Sequence, residues 1–274
     1  MSVSLFNLIP QPETFLISGE GNGNFQITLQ AGNQVVDGTF SVRDLKKLLP
    51  KCNAENIHTI AIDSFRSKEF ISFDLKRIIE ASTQLKSLNL TFVKDRLLLG
   101  LTSTAQELDF AALANVDPVL LANQIKANGF YSSISFEKCT FETRAKVELW
   151  NAMQIALSKV KMIGELNFHG CNLTTFDSSV CFLPHKGPEI VRLDLSNNKI
   201  RNVYFLVEII RNCQIESLNL SGNPGISDVM IFLGAVHKIA RPPCIVMDED
   251  KMTMEEKVLL QMINNRSDLK ISEK

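Results

Sequence analysis

A short apolar spacing returns seven times in this chain: one apolar residue, a second three positions later, and a third two beyond that. The segments are Ile57-x-x-Ile60-x-Ile62, Leu85-x-x-Leu88-x-Leu90, Ala105-x-x-Leu108-x-Phe110, Tyr131-x-x-Ile134-x-Phe136, Ile163-x-x-Leu166-x-Phe168, Ile190-x-x-Leu193-x-Leu195 and Ile215-x-x-Leu218-x-Leu220. With the first apolar residue counted as position one, the position-four residues follow one another at intervals of 28, 20, 26, 32, 27 and 25. Side chains alternate across a strand, so positions four and six share the face that turns inward, and the residues between them face outward. Each segment is expected to supply one short strand of a parallel sheet, and the longer intervals leave room for a helix on the return leg. The 20-residue interval between Leu88 and Leu108 predicts a loop or a short turn instead. Helical spacing is read over Glu142 to Lys159, through Val147, Trp150, Ile155 and Leu157, and over Asp228 to Ile239, through Met230, Ile231, Leu233 and Val236.

Three segments continue to an Asn or Cys at position nine and an apolar residue at eleven: Cys139 with Phe141, Cys171 with Leu173, and Asn198 with Ile200. In the seventh, Asn223 is followed one residue late by Ile226, and Phe65, Val93 and Leu113 hold position nine in the first three. A backbone that turns away from a sheet needs partners for its amides, which a stacked column of Asn or Cys side chains can supply. Cys139, Cys171, Asn198 and Asn223 are therefore read as structural. The extended motif resembles the leucine-rich-repeat family, most strongly over 131–226, and the longer intervals resemble its ribonuclease-inhibitor-like class. The resemblance implies an α/β horseshoe solenoid of about seven repeats, with parallel strands on the concave face and helices or loops on the convex face. The expected organisation is an N-terminal hairpin and helix cap over 1–55, repeats over 56–240, and a cap strand, helix and polar tail over 241–274.

A solenoid exposes apolar surface at both ends unless something covers it. Phe15 to Ser18 and Phe25 to Gln30, around the glycine-rich segment 19–24, predict a hairpin. No Gly-Lys-Ser/Thr follows those glycines, so they do not form a phosphate loop. After Pro242-Pro243, Cys244 to Met247 can add a last strand, and Thr253-x-x-Glu256 fits a capping box for a helix to about Asn264. The acidic run 248–250 lacks the spacing of a calcium loop.

Composition narrows the function. Twenty-nine Lys plus Arg against thirty Asp plus Glu give a formal charge of −1, without the basic excess of a nucleic-acid binder. The apolar stretches 97–101 and 203–210 are too short to span a bilayer. The first basic residue is Arg43, so the expected compartment is the cytoplasm. The six cysteines form no C-x-x-C pair, and neither a metal nor a cofactor is expected.

Positions two, three, five and seven of each segment make the outward face. Its carboxylates are Asp63, Glu107, Asp109, Glu137, Glu165, Asp194 and Glu216, against Lys86 and Arg192, with His169 among them. A single sign concentrated on one surface favours a partner with a basic patch, most simply a protein, so these ten residues are the expected binding surface of a monomeric interaction module. Glu137, His169 and Ser196 share position seven of successive segments, in the order acid, base, hydroxyl, which leaves a hydrolase as the alternative enzymatic reading.

The chain also resembles the leucine-rich-repeat effectors of Legionella-type bacteria. The residues concerned are Glu255-Glu256, 18 to 19 residues before the end, and Leu269 and Ile271 within the last six. That resemblance implies delivery by a Dot/Icm type IV system into a host cell, where the partner is a host protein. An endogenous cytosolic scaffold or inhibitor of the ribonuclease-inhibitor type shares the same architecture. No Cys-x-Asp motif is present, which argues against the secreted ubiquitin-ligase branch.

Overall fold

The structure is a computed structural model that describes residues 5–20, 23–65, 69–91, 93, 98, 103–113, 122, 124–125, 129–140, 155–173, 187–204 and 206–271. The fold is α/β, built on mostly parallel strands, and the chain divides into two compact units, Met1–Ala114 and Asn115–Lys274.

In the first unit, a four-residue helix α1 (Leu5–Leu8) precedes β1 (Thr14–Gly19), β2 (Asn24–Ala31) and β3 (Gln34–Ser41). Helix α2 (Val42–Leu48), β4 (Thr59–Asp63), α3 (Glu69–Ala81), β5 (Ser87–Thr91) and β6 (Glu107–Asp109) follow. The strand order is β6-β5-β4-β1-β2-β3. β4, β5 and β6 are parallel, with Ile60 beside Leu88 and Leu88 beside Leu108. β1 runs parallel to β4 and antiparallel to β2, which is the hairpin expected around the glycine-rich segment. The third strand, β3, has no counterpart in the sequence reading. It follows a two-residue turn at Gly32-Asn33, where Gly32 takes φ +56°. Ser41 opens α2 by a reciprocal capping box with Asp44.

In the second unit, β7 (Phe130–Ser135), β8 (Met162–Asn167), β9 (Glu189–Asp194), β10 (Ser217–Asn219) and β11 (Cys244–Val246) are all parallel. Helices α4 (Leu206–Asn212) and α5 (Val229–His237) occupy the return legs before β10 and β11, and α6 (Met254–Ile271) closes the chain. Ile134, Leu166, Leu193, Leu218 and Ile245 stand in one row across the five strands.

The seven strands β4 to β10 fall on the seven apolar segments. Every residue at positions one, four and six is at most 5% exposed. Burying each Ile, Leu or Phe among them contributes about 1.5–3 kcal/mol, which makes these rows the source of both cores. Phe136 and Phe168, both at position six, stack with ring centroids 5.0 Å apart.

Three local expectations are corrected. In α5 the buried residues are Phe232, Leu233 and Val236, which share one helical face, whereas Met230 and Ile231 fall off that face and are exposed. Of the helix expected over 142–159, residues 142–154 lie outside the described residues; in the remainder Leu157 is buried and Ile155 is exposed. Helix α6 runs past Asn264 to Ile271, since Arg266 donates to the His237 and Ile239 carbonyls and Ser267 to that of Pro242. Most of the segment between Leu90 and Ser103 lies outside the described residues, including most of the loop expected there.

Candidate functional site

The outward strand face is held in place by three backbone devices at fixed positions of the repeat. The first is at position eight, where the chain leaves the strand. Ser64, Ala112, Lys138 and Asn197 there have φ between 52 and 56°, and Gly170 and Gly222 have 65 and 68°. This is the left-handed region, which only glycine enters without steric cost. The corner turns the chain inward and points position nine into the core.

At position nine, the Asn198 amide donates to the Phe168, Leu195 and Ser196 carbonyls and accepts from the Leu173 N–H, at 2.9–3.0 Å. Asn223 repeats the pattern, donating to Leu195 and Leu220 and accepting from Ile200. The Cys171 thiol donates to the Phe136 carbonyl. Burial pushes that thiol up to about 12, outweighing backbone hydrogen bonds at Cys139 and Lys138 that lower it; the charge of Glu137 adds to the rise. Such a thiol stays protonated and is a poor nucleophile.

The third device, at position five, was not read from the sequence. Asn89, Asp109, Asn167, Asp194 and Asn219 each accept, through a side-chain oxygen, from the N–H two residues on. Neighbours also bridge sideways: Asn89 donates to Asp109 at 2.9 Å and Asn219 to Asp194 at 3.2 Å. These are Asx turns in five of the seven rungs, and the signal was present as Asn or Asp at position five of those segments, with Ala61 and Ser135 in the other two. Asp109 and Asp194 therefore hold the backbone.

The other expected surface residues are placed as follows. In the first unit Lys86 and Glu107 are exposed, and Asp63 is half-buried, accepting from the Ser64 hydroxyl. In the second, Glu137 meets Lys138 at 2.6 Å and Glu165 meets Arg192 at 3.4 Å. Exposed pairs of this kind are worth about 0–1 kcal/mol, so they blunt the local charge without locking it. Glu216 is exposed. Of the carboxylates counted from sequence, Asp63, Asp109, Glu137, Glu165 and Asp194 bond or pair with neighbours on the face itself, and Glu107 and Glu216 stand exposed.

His169 and Ser196 do meet, with Nδ1 2.9 Å from Oγ, but the arrangement differs from a nucleophile and its base. The single proton of Ser196 goes to Asp194 Oδ1, 2.6 Å away, because a carboxylate oxygen can only accept. His169 Nδ1 must then be the donor to Ser196, so the imidazole cannot take the serine proton there. Ser196 is also buried, the residue being only 2% exposed, and Glu137 points to Lys138 instead of completing the chain. His169, Ser196 and Asp194 thus tie the end of the β8 rung to that of β9, with the Asn197 amide against the imidazole edge.

Among the described residues no three His, Cys, Asp or Glu side chains gather as a metal site, and no described helix is long and apolar enough to cross a membrane. Comparison of the sequence with protein families and with curated proteins finds no match.

Proposed function

We propose that the chain is a leucine-rich-repeat protein of the ribonuclease-inhibitor-like class, and that its outward strand face is the concave surface of a horseshoe that binds a basic protein partner without chemistry. The observation that carries this reading is the locking of the face: Asx turns at position five of five strands, left-handed corners at position eight of six, and the Cys171, Asn198 and Asn223 bonds at position nine hold the backbone beneath the outward side chains. A preorganised face lowers the ordering cost of binding. Carboxylates on it attract a cationic surface and speed encounter at low salt.

The test is capture of a partner by the wild-type chain against a Glu107→Lys/Glu216→Lys variant, which leaves the bonded Asp109 and Asp194 intact. The expected result is a partner retained by the wild type, released by salt and lost by the variant. Capture that is equal in both, or insensitive to salt, overturns the acidic-face reading.

A second reading, delivery into a host cell by a type IV system, rests on the glutamate pair and the apolar residues near the end. Because α6 carries Leu260 and Ile263 into the core, removing 253–274 would damage the fold itself. A translocation reporter with Leu269→Ser/Ile271→Ser is the sound comparison, and equal delivery with and without the change argues against a signal there.

A further inference from the structure

We propose that β3 is the contact strand of a homodimer, in which two copies pair edge to edge about a two-fold axis with Asp37 of one copy opposite Thr39 of the other. The hydrogen-bonding parity of the hairpin supplies the starting point. The Gln30 carbonyl accepts from Glu13 N–H, so Gln30 faces away from β3, and its neighbour Ala31 faces toward it. In the β2–β3 register Ala31, Leu29, Ile27 and Phe25 therefore bond Gln34, Val36, Gly38 and Phe40. Val35, Asp37 and Thr39 point their N–H and C=O groups off the sheet edge. Helix α1 packs beside β3, but among the described residues no backbone hydrogen bond from outside the hairpin reaches these three.

Exposed edges of this kind are usually blunted by a lysine, a proline, a bulge, a covering element or shortness. β3 is eight residues long, its register with β2 is unbroken, and Gln34–Ser41 contains neither lysine nor proline; its one charge is Asp37, whose carboxylate accepts from the Gln26 amide of its own hairpin, as that amide's oxygen accepts from the Thr39 hydroxyl. Val35 is 58% exposed, and Val36, Gly38 and Phe40 on the inner side are only half-buried. In the second unit, edge strand β11 is handled differently: it is three residues long, and the Asn264 side chain occupies both the N–H and the C=O of Ile245, at 2.8 and 2.9 Å.

Self-pairing of β3 has few registers. Placing Asp37 opposite Asp37 sets two carboxylates against each other, which is unfavourable. Shifting so that Asp37 faces Thr39 removes that opposition and keeps the overlap over 35–41. It sets Val36 against Phe40 twice on the inner side, a β-branched–aromatic pair, around a central Gly38–Gly38 contact. The Phe40 ring already lies across Gly38, 3.0–3.1 Å from where a Cβ would stand, so the glycine is covered within each copy. The occupant this edge fits is thus a second copy of the chain, in place of the monomer expected from sequence.

Sedimentation of the full chain across micromolar to sub-millimolar concentrations tests this. The wild type is expected to dimerise. Thr39→Pro removes only an outward N–H and should leave a monomer with an unchanged far-UV spectrum. Should that variant unfold, Thr39→Asp and Thr39→Lys keep the test alive, since each sets a charge opposite Asp37 of the other copy. Thr39→Asp should weaken and Thr39→Lys tighten dimerisation by about two- to thirtyfold. A wild type that stays monomeric, a dimer indifferent to all three changes, or equal shifts for Asp and Lys overturns the proposal.

Discussion

Single residues carry the turn of each repeat. Ala112 sits in the left-handed region with a Cβ that the region disfavours, and Gly222 sits there with none. Ala112→Gly should stabilise the protein by roughly 0.5–1 kcal/mol, the relieved steric cost less the added freedom of the unfolded chain, read as a higher urea midpoint with an unchanged slope. Gly222→Ala should lower the midpoint by more than the same amount, because the new methyl would run into the Asn197 side-chain oxygen. Position nine was legible in the last four segments, where it is Cys or Asn, and not in the first three, where Phe65, Val93 and Leu113 stand there. Position eight was not: Ser, Ala, Lys, Gly and Asn share no side-chain chemistry there, only a backbone angle. The acidic count had the converse fault, since Asp109 and Glu107 look alike in sequence although one bonds its own backbone and the other faces solvent.

At the scale of elements, strands that face a core on one side were readable and those that do not were missed. The segments of β4 to β10 bury their residues at positions one, four and six, whereas Val35 and Asp37 of β3 are both exposed and the strand lacks a fully buried residue. The start of α6 was visible in its capping box, with the Thr253 N–H on Glu256 and the Glu256 N–H on the Thr253 hydroxyl. Its end was invisible, because the carbonyls that Arg266 and Ser267 bind come from residues some 25 to 29 earlier in the chain. The tie between α6 and β11 can be tested. Asn264→Ala leaves the N–H and C=O of Ile245 without that partner and should cost about 2 kcal/mol, with faster hydrogen exchange at the Ile245 amide. Unchanged exchange would mean that the side-chain bridge contributes no protection.

For the whole molecule, net charge near zero gives stability little dependence on gross repulsion, so buried titratable groups decide its pH limits. The Cys171 thiol, pushed up from 9.0 to about 12, binds its proton more tightly folded than unfolded. Its contribution is therefore fully present below pH 9 and is lost as pH rises through 9 toward 12. Unfolding free energies measured across that window should fall more steeply for the wild type than for Cys171→Ala, and parallel curves would assign the thiol no such role. At this scale the α/β class and the succession of strands were legible from spacing alone. The partition into two units was not, because the same apolar spacing within a segment recurs in the sequence before and after Ala114 and carries no mark of the boundary.

The left-handed corners also dictate where such a chain can change length. From position one to position nine every residue has an assigned direction, and one insertion there would turn an inward row outward. Past position eleven, where Leu173 and Ile200 are still held by the next rung, the spacing is free, and the same rung recurs after 20 residues in one place and 32 in another. Insertions and deletions inherited over time should therefore gather on the return legs, so that the helical side diversifies while the strand side keeps its spacing.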